Sequence, residues 1–387
     1  KKIKVKNTLK VLTDSAKVIR KISSAKFISI TGSSGKTSLK ELLAFSLNKL
    51  SPTAFSKNSF NNKYGVPLSL MNLKKFHNFG VFEVGMDKAG EINNLTKIIQ
   101  PELAVITNIS YAHIKNFNNL SEIASAKAEI MNNILPGGTI VLNKDDKYFR
   151  FLEKKAIRKK LNIISFSKNK ISSNIYIKKI FDYNSKIKIL LKVNKTEKLF
   201  IINKNLKSYI ENILASICVI SQYFELSKID EKIFLNFKIP SARGNLYKIK
   251  IKKMTIHLID ESYNSNPLSL KFAIENFNNY KTKERKILIL GNMLELGKFS
   301  KKLHRNVSKV INRSEINKVY VIGKDIKETF YGLSKSKKGK ILRNKNEIYE
   351  LIKRDLNNND HLMIKGSNST GLQQIVSNIK KGKIHAL

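Results

Sequence analysis

The chain has 387 residues, 42% hydrophobic and 26% charged, with 17 Gly and 6 Pro; this is the balance of a folded globular protein, too long for one ordinary core, so two domains are expected and a disordered or collagen-like chain is excluded. The formal net charge of +44 is carried by 73 basic residues, nine of them arginine, against 29 acidic ones, and the lysines are scattered among Ile and Asn along the whole chain. Base-reading proteins depend on the bidentate guanidinium fork, so a diffuse lysine excess argues for weak attraction to polyanions and against specific nucleic-acid recognition.

The first residue is Lys rather than Met, which leads to the expectation that the chain starts inside a longer polypeptide. Residues 1–25 read as a lead-in segment, a strand followed by a helix. KFISIT (26–31) is a short apolar strand, and TSLKELLAFSLNKL after it has the helical period, so strand, glycine loop and helix open a βαβ unit. Further strands are predicted at FGVFEVGM (79–86) and ELAVITNI (102–109), with a helix over SEIASAKAEIMNNIL (121–135). This alternation implies a mostly parallel sheet covered on both faces. Between 160 and 205, Lys-interrupted strands such as NIYIKKI and KIKILLKV suggest an antiparallel insertion, and KSYIENILASICVISQYF (207–224) returns to helix. The one cysteine, Cys218, lies in that apolar run; it excludes a disulfide framework or a Cys-based zinc site and reads as a buried structural thiol.

KIPSARGN (238–245), with Pro and Gly together, is the best domain boundary. Beyond it, MTIHLID, RKILILGNM, KVYVIG and HLMIKGS are four strand-like runs between helical stretches. The expected fold is α/β: a central P-loop-type ATPase domain with a mostly parallel sheet over residues 1–239, then a smaller Rossmann-like α/β domain over 240–387. No apolar stretch approaches the roughly 20 residues of a membrane span and no secretory signal precedes the first strand, so a cytoplasmic protein is expected.

The chemistry concentrates first in TGSSGKTS (31–38). The usual phosphate loop reads G-x-x-x-x-G-K-[ST], and its first glycine would fall on Ile30. Gly32 and Gly35 nevertheless free the backbone to turn and to approach an anion, with Ser33 and Ser34 between them. The helix that follows offers unpaired N–H groups and a positive dipole end, so Gly32 through Ser38 form the candidate nucleotide site. Lys36 can reach the β/γ-phosphates and the Thr37 hydroxyl can ligate Mg²⁺. The competing reading is a Gly-Ser turn with an incidental Lys. Mg²⁺ needs further oxygen ligands, and Glu83 ends an apolar strand where packing does not call for a carboxylate, at the edge where open α/β sheets place ligands. His113 follows the next strand at an equivalent edge. Alone it reads equally as a satisfied loop residue; beside Glu83 and the loop it reads as a metal ligand.

TGSSGKTSLKE (31–41), FNNKYGVPLSL (60–70), FEVGMDKAGEI (82–92), PELAVITNISYAHIKNF (101–117), SEIASAKAEI (121–130), IDESYNSNP (259–267), GNMLELG (291–297) and KGSNST (365–370) occur in that order. Together, over nearly the whole chain, they resemble the Mur ligases of peptidoglycan synthesis. YNSNP and GNMLELG point, within that family, to the branch that adds D-alanyl-D-alanine to UDP-N-acetylmuramoyl-tripeptide. The family loop is the shorter T-G-x-x-G-K-[ST], matched by Thr31 to Thr37, which makes Ile30 the last apolar residue of the strand rather than a lost glycine.

The resemblance implies that Lys36 and Thr37 bind the ATP phosphates and Mg²⁺, with two ions expected, and that Glu83 and His113 are second-metal ligands. It implies that Lys127 is carbamylated, CO₂ turning a cationic amine into an anionic oxygen ligand; otherwise Lys127 reads as one of many helix-surface lysines. It places Asn212 near the adenine, although Ser208 stands where a His often precedes it. It also implies that Arg243 reaches the nucleotide from the second domain, a position suited to the planar fork. Glu261 stands where many relatives carry Asp in D-D-S-Y-N-x-N-P and is expected near the ribose or nucleotide. Asn62, Tyr263, Asn264, Asn266, Lys365 and Ser367 are expected to bind substrate, against the alternative that 263–267 is an Asx-rich turn before Pro267. Asn292 and Asn368 replace an Asp and an Arg of the family pattern, so the ATP half of the site is expected to follow the family more closely than acceptor recognition. The family carries an N-terminal domain that holds the UDP end of the substrate, and this sequence starts just before the central domain; that domain is expected in the longer polypeptide.

The implied activity is ATP-dependent amide formation through an acyl phosphate, by a monomer, between the small molecules UDP-N-acetylmuramoyl-tripeptide and D-Ala-D-Ala. ATP and Mg²⁺ are the expected cofactors, with no specific nucleic-acid partner and no membrane span. The nearest rivals are the diaminopimelate- or lysine-adding Mur ligase and folylpolyglutamate synthase, against which YNSNP and GNMLELG weigh. A basic nucleic-acid-binding NTPase lacks its aromatic-basic clusters, and a noncatalytic remnant is suggested only by the two lost charges and the missing N-terminal region.

Overall fold

The computed structural model describes residues 4–183, 185–251 and 254–383. The chain divides into two compact units, Lys1–Ile109 with Phe117–Lys238, and Ser110–Asn116 with Ile239–Leu387. In the first, helix α1 (Thr8–Ile22) leads into β1 (Lys26–Thr31), α2 (Lys36–Asn48), β2 (Thr53–Phe55), α3 (Gly65–Met71), β3 (Phe79–Glu83), α4 (Glu91–Ile99) and β4 (Leu103–Ile106). These are followed by α5 (Leu120–Ala128), β5 (Thr139–Asn143), α6 (Phe149–Arg158), β6 (Asn162–Ser167), β7 (Ile175–Tyr183), β8 (Lys186–Val193), β9 (Thr196–Asn203) and α7 (Ile210–Ile220).

Among the described residues these nine strands form one sheet in the order β2-β3-β1-β4-β5-β6-β7-β8-β9. It is parallel from β2 to β7 and antiparallel only at the β7–β8–β9 end. The stretch expected as an antiparallel insertion therefore continues the main sheet. Its alternation has a simple cause: in β8 Ile187, Ile189, Leu191 and Val193 are buried while the lysines between them are not, so one face packs and the other meets water. The helix expected over 121–135 is α5 followed by a 3₁₀ segment, Glu129–Asn133. The lead-in strand falls partly on residues 1–3, outside the described residues, and residues 4–7 carry no strand.

The central strands read as continuous apolar runs because both their faces are covered. Phe27, Ile28 and Ile30 of β1 are fully buried, as are Leu39, Leu42, Leu43 and Leu47 of α2, each side chain contributing roughly 1.5–3 kcal/mol. Register then positions the site. Ile30 stands opposite Glu83 of β3 on one side and Val105 of β4 on the other, so the loop after β1, Glu83 and the turn after β4 share one sheet edge.

The second unit runs through β10 (Asn245–Ile251), β11 (Met254–Glu261), α8 (Pro267–Asn278), β12 (Lys286–Gly291), α9 (Ser300–Asn312) and β13 (Lys318–Ile322). It closes with α10 (Lys327–Tyr331), β14 (Lys338–Leu342), α11 (Asn346–Arg354), β15 (His361–Lys365) and α12 (Leu372–Lys380). Its sheet, β10-β11-β15-β12-β13-β14, is parallel except at β10–β11. The sequence pattern missed β10 and β14 because both are edge strands, NLYKIKI and KGKIL, whose lysines face water and blunt the edge. Ile256, Leu258, Ile287, Ile289, Leu362 and Ile364 of the sheet pack with Ile348 and Ile352 of α11 and Ile375 of α12. Among the described residues no helix is long and apolar enough to cross a membrane.

Candidate functional site

The loop between β1 and α2 requires its glycines. Gly32 has φ +145°, and a Cβ there would stand 1.8 Å from Thr107 Oγ1; Gly35 has φ +82° and caps α2. The turn after β4 grips the loop: the Ser33 N–H donates to Asn108 O and the Ser34 N–H to Asn108 Oδ1, both at 2.9 Å, and Thr107 Oγ1 donates to Ser34 O at 2.7 Å. Asn212 on α7 belongs to the same neighbourhood, since a Cβ on Gly35 would lie 3.4 Å from its Oδ1. Ser38 is buried in the first turn of α2.

Thr37 Oγ1 donates to Glu83 Oε2 at 2.7 Å and lies 3.1 Å from Ser59 Oγ, while Asn61 Nδ2 donates to Glu83 Oε1 at 2.7 Å. Glu83 is 1% exposed, so a buried carboxylate is held by neutral donors. Lys36 Nζ donates to Gly32 O at 2.9 Å, and Lys127 Nζ donates to the same oxygen at 3.0 Å. Lys127 is buried; desolvation first, and the Lys36 charge second, hold its amine well below the ordinary lysine range. Lys127 is therefore a buried amine inside the site and not a helix-surface lysine. Asn62 is exposed, and its Oδ1 accepts from the N–H groups of Tyr64 and Gly65 at 3.1 and 2.9 Å, opening α3.

In the second unit, the Arg243 guanidinium lies over the Tyr263 ring, 4.1 Å from its centroid. Glu261 and Lys365 pair in register across β11 and β15, with Oε2 and Nζ 3.1 Å apart; the buried Lys365 also donates to Asn264 O at 3.0 Å. Ser367 Oγ donates to Ser265 O at 3.1 Å and accepts the Leu294 N–H at 2.9 Å. Asn266 Oδ1 accepts the Ser269 N–H and Ser269 Oγ accepts the Asn266 N–H, a capping box that starts α8 ahead of Pro267. Asn264 Oδ1 accepts the Ser265 N–H at 2.8 Å. Both departures from the family pattern bind backbone: Asn292 Oδ1 accepts the Ile326 N–H at 3.0 Å and Asn368 Nδ2 donates to Tyr263 O at 3.3 Å.

His113 lies in the Ser110–Asn116 segment with φ +60°, and its Nδ1 stands 2.5 Å from Glu295 Oε2. That bond, ahead of every other influence, holds the Glu295 carboxyl below the usual carboxylate range. A metal bound through Nε2 would leave the Nδ1–Glu295 contact in place, as a carboxylate partner that orients the ring.

Residues 30–220 match the family model described as the Mur ligase middle domain, and residues 249–368 the one described as the Mur ligase, glutamate ligase domain. The UDP-N-acetylmuramoyl-tripeptide–D-alanyl-D-alanine ligase of Buchnera aphidicola subsp. Baizongia pistaciae is 34% identical over 385 residues, which cover 97% of this chain and 80% of that protein. The chain belongs to the Mur ligase family. A crystal structure of MurF from Acinetobacter baumannii has a TM-score of 0.86 at 25% identity, covering 97% of this chain and 81% of that one. MurF from Thermotoga maritima in complex with ADP has a TM-score of 0.85 at 23% identity, covering 98% and 85%.

In this Mur ligase the Thr37 hydroxyl and the Glu83 carboxylate meet at a helix N-terminus beside a glycine loop, an all-oxygen donor pair that fits a hard cation such as Mg²⁺. The sequence reading named Asn62 for substrate and passed over Ser59 and Asn61, which reach Thr37 and Glu83, and, in the second unit, Glu295, which meets His113. In a loop, no period says which of two adjacent asparagines points inward. Glu295 carried a detectable signal, an acidic residue inside GNMLELG, but nothing local tied it to His113.

Proposed function

We propose that this Mur ligase joins D-alanyl-D-alanine to UDP-N-acetylmuramoyl-tripeptide, with ATP cleaved to ADP and phosphate. The observation that carries this reading is the convergence of Lys36, Thr37, Glu83 and Lys127 on one sheet edge, in a chain 34% identical to a ligase of that name. The N–H groups at the start of α2, from Gly35 to Thr37, and the Lys36 ammonium bind the β- and γ-phosphates. Thr37 and Glu83 would hold Mg²⁺, which when bound offsets the charge gathering on the transferring phosphoryl group. Burial holds the Lys127 amine well below the ordinary lysine range, which favours the unprotonated form whose lone pair can attack CO₂: a C–N bond forms, a proton leaves, and the resulting carbamate adds an anionic oxygen next to Gly32.

A carboxylate oxygen of the tripeptide attacks the γ-phosphorus and ADP departs, leaving an acyl phosphate. The dipeptide amine then attacks the acyl carbon, a proton leaves the nitrogen, and phosphate is expelled from the tetrahedral intermediate. In the second unit Lys365 offers a cation for the dipeptide carboxylate, beside Tyr263 and Ser367. The test is ADP release by the full-length gene product with a panel of acceptors: D-Ala-D-Ala, meso-diaminopimelate, L-lysine and L-glutamate. Release is expected only with the tripeptide and D-Ala-D-Ala together, and Lys36→Ala should lower it about a thousandfold or more. Turnover with a different acceptor, or undiminished turnover in Lys36→Ala, overturns the reading.

A further inference from the structure

Lys40 lies on α2, one turn beyond Lys36, and its side chain is fully buried. A buried ammonium is tolerated only where its protons find oxygens. Here Nζ donates to Ser56 O at 2.5 Å and to Asn58 O at 2.6 Å, and stands 2.6 Å from Glu41 Oε1. The Phe55 ring lies 5.5 Å away. Three acceptors on three protons leave this lysine no part in phosphate binding.

The segment it grips has an unusual shape. Ser56 is anchored to β3, its N–H donating to Val81 O at 3.1 Å and its Oγ accepting the Glu83 N–H at 3.0 Å. Asn58 then takes φ +50°, a left-handed conformation that asparagine accommodates more readily than other residues with a Cβ and that turns the chain sharply. Past that turn the chain delivers Ser59 Oγ to within 3.1 Å of Thr37 Oγ1, and Asn61 Nδ2 to within 2.7 Å of Glu83 Oε1. The carbonyls of Ser56 and Asn58 converge on one point, and two such dipoles repel unless a cation lies between them.

We propose that Lys40 is a positioning residue for the metal–nucleotide site. By gathering the two carbonyls it fixes the turn that aims Ser59 and Asn61 at Thr37 and Glu83, and so holds hydroxyl and carboxylate at the spacing a hard cation needs. The proposal rests on the assignment of Thr37 and Glu83 made above. A methionine at this position fills the volume but leaves both carbonyls without their donor, and the turn relaxes.

The experiment measures binding of a fluorescent ADP analogue to the full-length protein, by anisotropy, as Mg²⁺ is titrated well below the melting temperature. Lys40→Met is expected to raise the Mg²⁺ needed for half-maximal binding about tenfold, as loss of an outer-shell partner commonly does, with little change at saturating Mg²⁺. Lys40→Arg restores most of the difference. Lys49→Met removes a lysine–carbonyl bond to Ile233 O, 2.7 Å long and elsewhere in the same unit, and moves only the melting midpoint. Ser59→Ala combined with Asn61→Ala leaves Lys40 in place and reproduces the shift. An unchanged Mg²⁺ midpoint in that double variant overturns the proposal whether or not Lys40→Met folds. If Thr37→Ala and Glu83→Gln also leave the Mg²⁺ dependence untouched, the site assignment itself fails; if they shift it and a folded Lys40→Met does not, only the role of Lys40 is lost.

Discussion

At the edge of the first sheet, Lys36 and Lys127 direct two amines at the single carbonyl oxygen of Gly32, 2.9 and 3.0 Å away. At the edge of the second, Lys365 is set between the Glu261 carboxylate at 3.1 Å and Asn264 O at 3.0 Å. The first arrangement concentrates positive charge, which burial has already turned down at Lys127. The second is neutralised by its own neighbours. Under the proposed function the difference has a rationale: polyphosphate would relieve an electrostatic imbalance at the first edge, whereas a small zwitterion at the second needs groups held in place with little net field. The side chains follow suit: Thr37 and Glu83 in the first unit face each other, while Asn264 and Asn266 in the second bond to backbone and shape a helix start.

The largest way to break this contrast is at Lys127. Lys127→Met should lower dipeptide-dependent ADP release by about a hundredfold or more while making the ligand-free protein more stable in CO₂-depleted buffer. The sign follows from proton counting. Unfolded Lys127 keeps its proton up to its ordinary value of 10.5, whereas the folded amine releases it well below that. Between the two values the unfolded state binds the extra proton, so the parent gains stability as pH rises. The methionine variant lacks this dependence, and Gly32 O keeps its bond from Lys36. Its advantage should be greatest toward neutral pH and should narrow as pH approaches 10.5, read as melting midpoints across that range. A variant that is inactive and also less stable throughout would show that the two amines are not in conflict.

The same contrast explains what could be read from the sequence. The glycine loop between strand and helix, the place of Glu83 at a strand end and the parallel strands were legible because each is a local pattern: a glycine spacing, an apolar run that ends in a carboxylate, a strand feeding a helix. The matches at Lys127 and Asn212 came through family resemblance, and only the fold explains them, since packing rather than spacing buries Lys127 and brings Asn212 beside Gly35. What stayed hidden depends on contacts far apart in the chain or on one bond rotation. Asn61 reaches Glu83, Lys40 turns inward under the 56–61 segment, and Glu295 meets His113. The edge strands β10 and β14 were lost for the opposite reason, because water on one face erased the apolar pattern.

A middle-sized test falls on Glu261. The family expectation places its carboxylate near the ribose or nucleotide, whereas here it pairs with Lys365. If the pairing dominates, Glu261→Gln should raise KM for D-Ala-D-Ala about tenfold, because Lys365 loses the partner that orients it, and should move KM for ATP by about twofold or less. The reverse pattern, with ATP affected and the dipeptide not, would return the residue to the nucleotide and remove the neutralised pair from the comparison.

The smallest effect concerns the loop that carries Leu294 to Ser367. His304 on α9 is fully buried; its Nε2 accepts the Met293 N–H at 2.9 Å and its Nδ1 bonds Ser300 O at 2.9 Å, so the ring must be neutral and protonated on Nδ1. Burial, the leading cause, lowers its pKa from the ordinary 6.5. The unfolded chain therefore takes up a proton first as pH falls, and the stability held in this bond is complete above 6.5 and lost as pH drops below it toward the folded value. His304→Gln should melt lower than the parent at pH 7.5 but lose less on acidification to pH 5, the gap closing by about 3 °C. The lowered pKa values of His77 and His361 are common to both proteins, so the difference between the two pH profiles isolates His304. Parallel profiles would mean that the loop next to Ser367 is held by its other bonds, and that the second unit's candidate residues owe their placement to backbone capping alone.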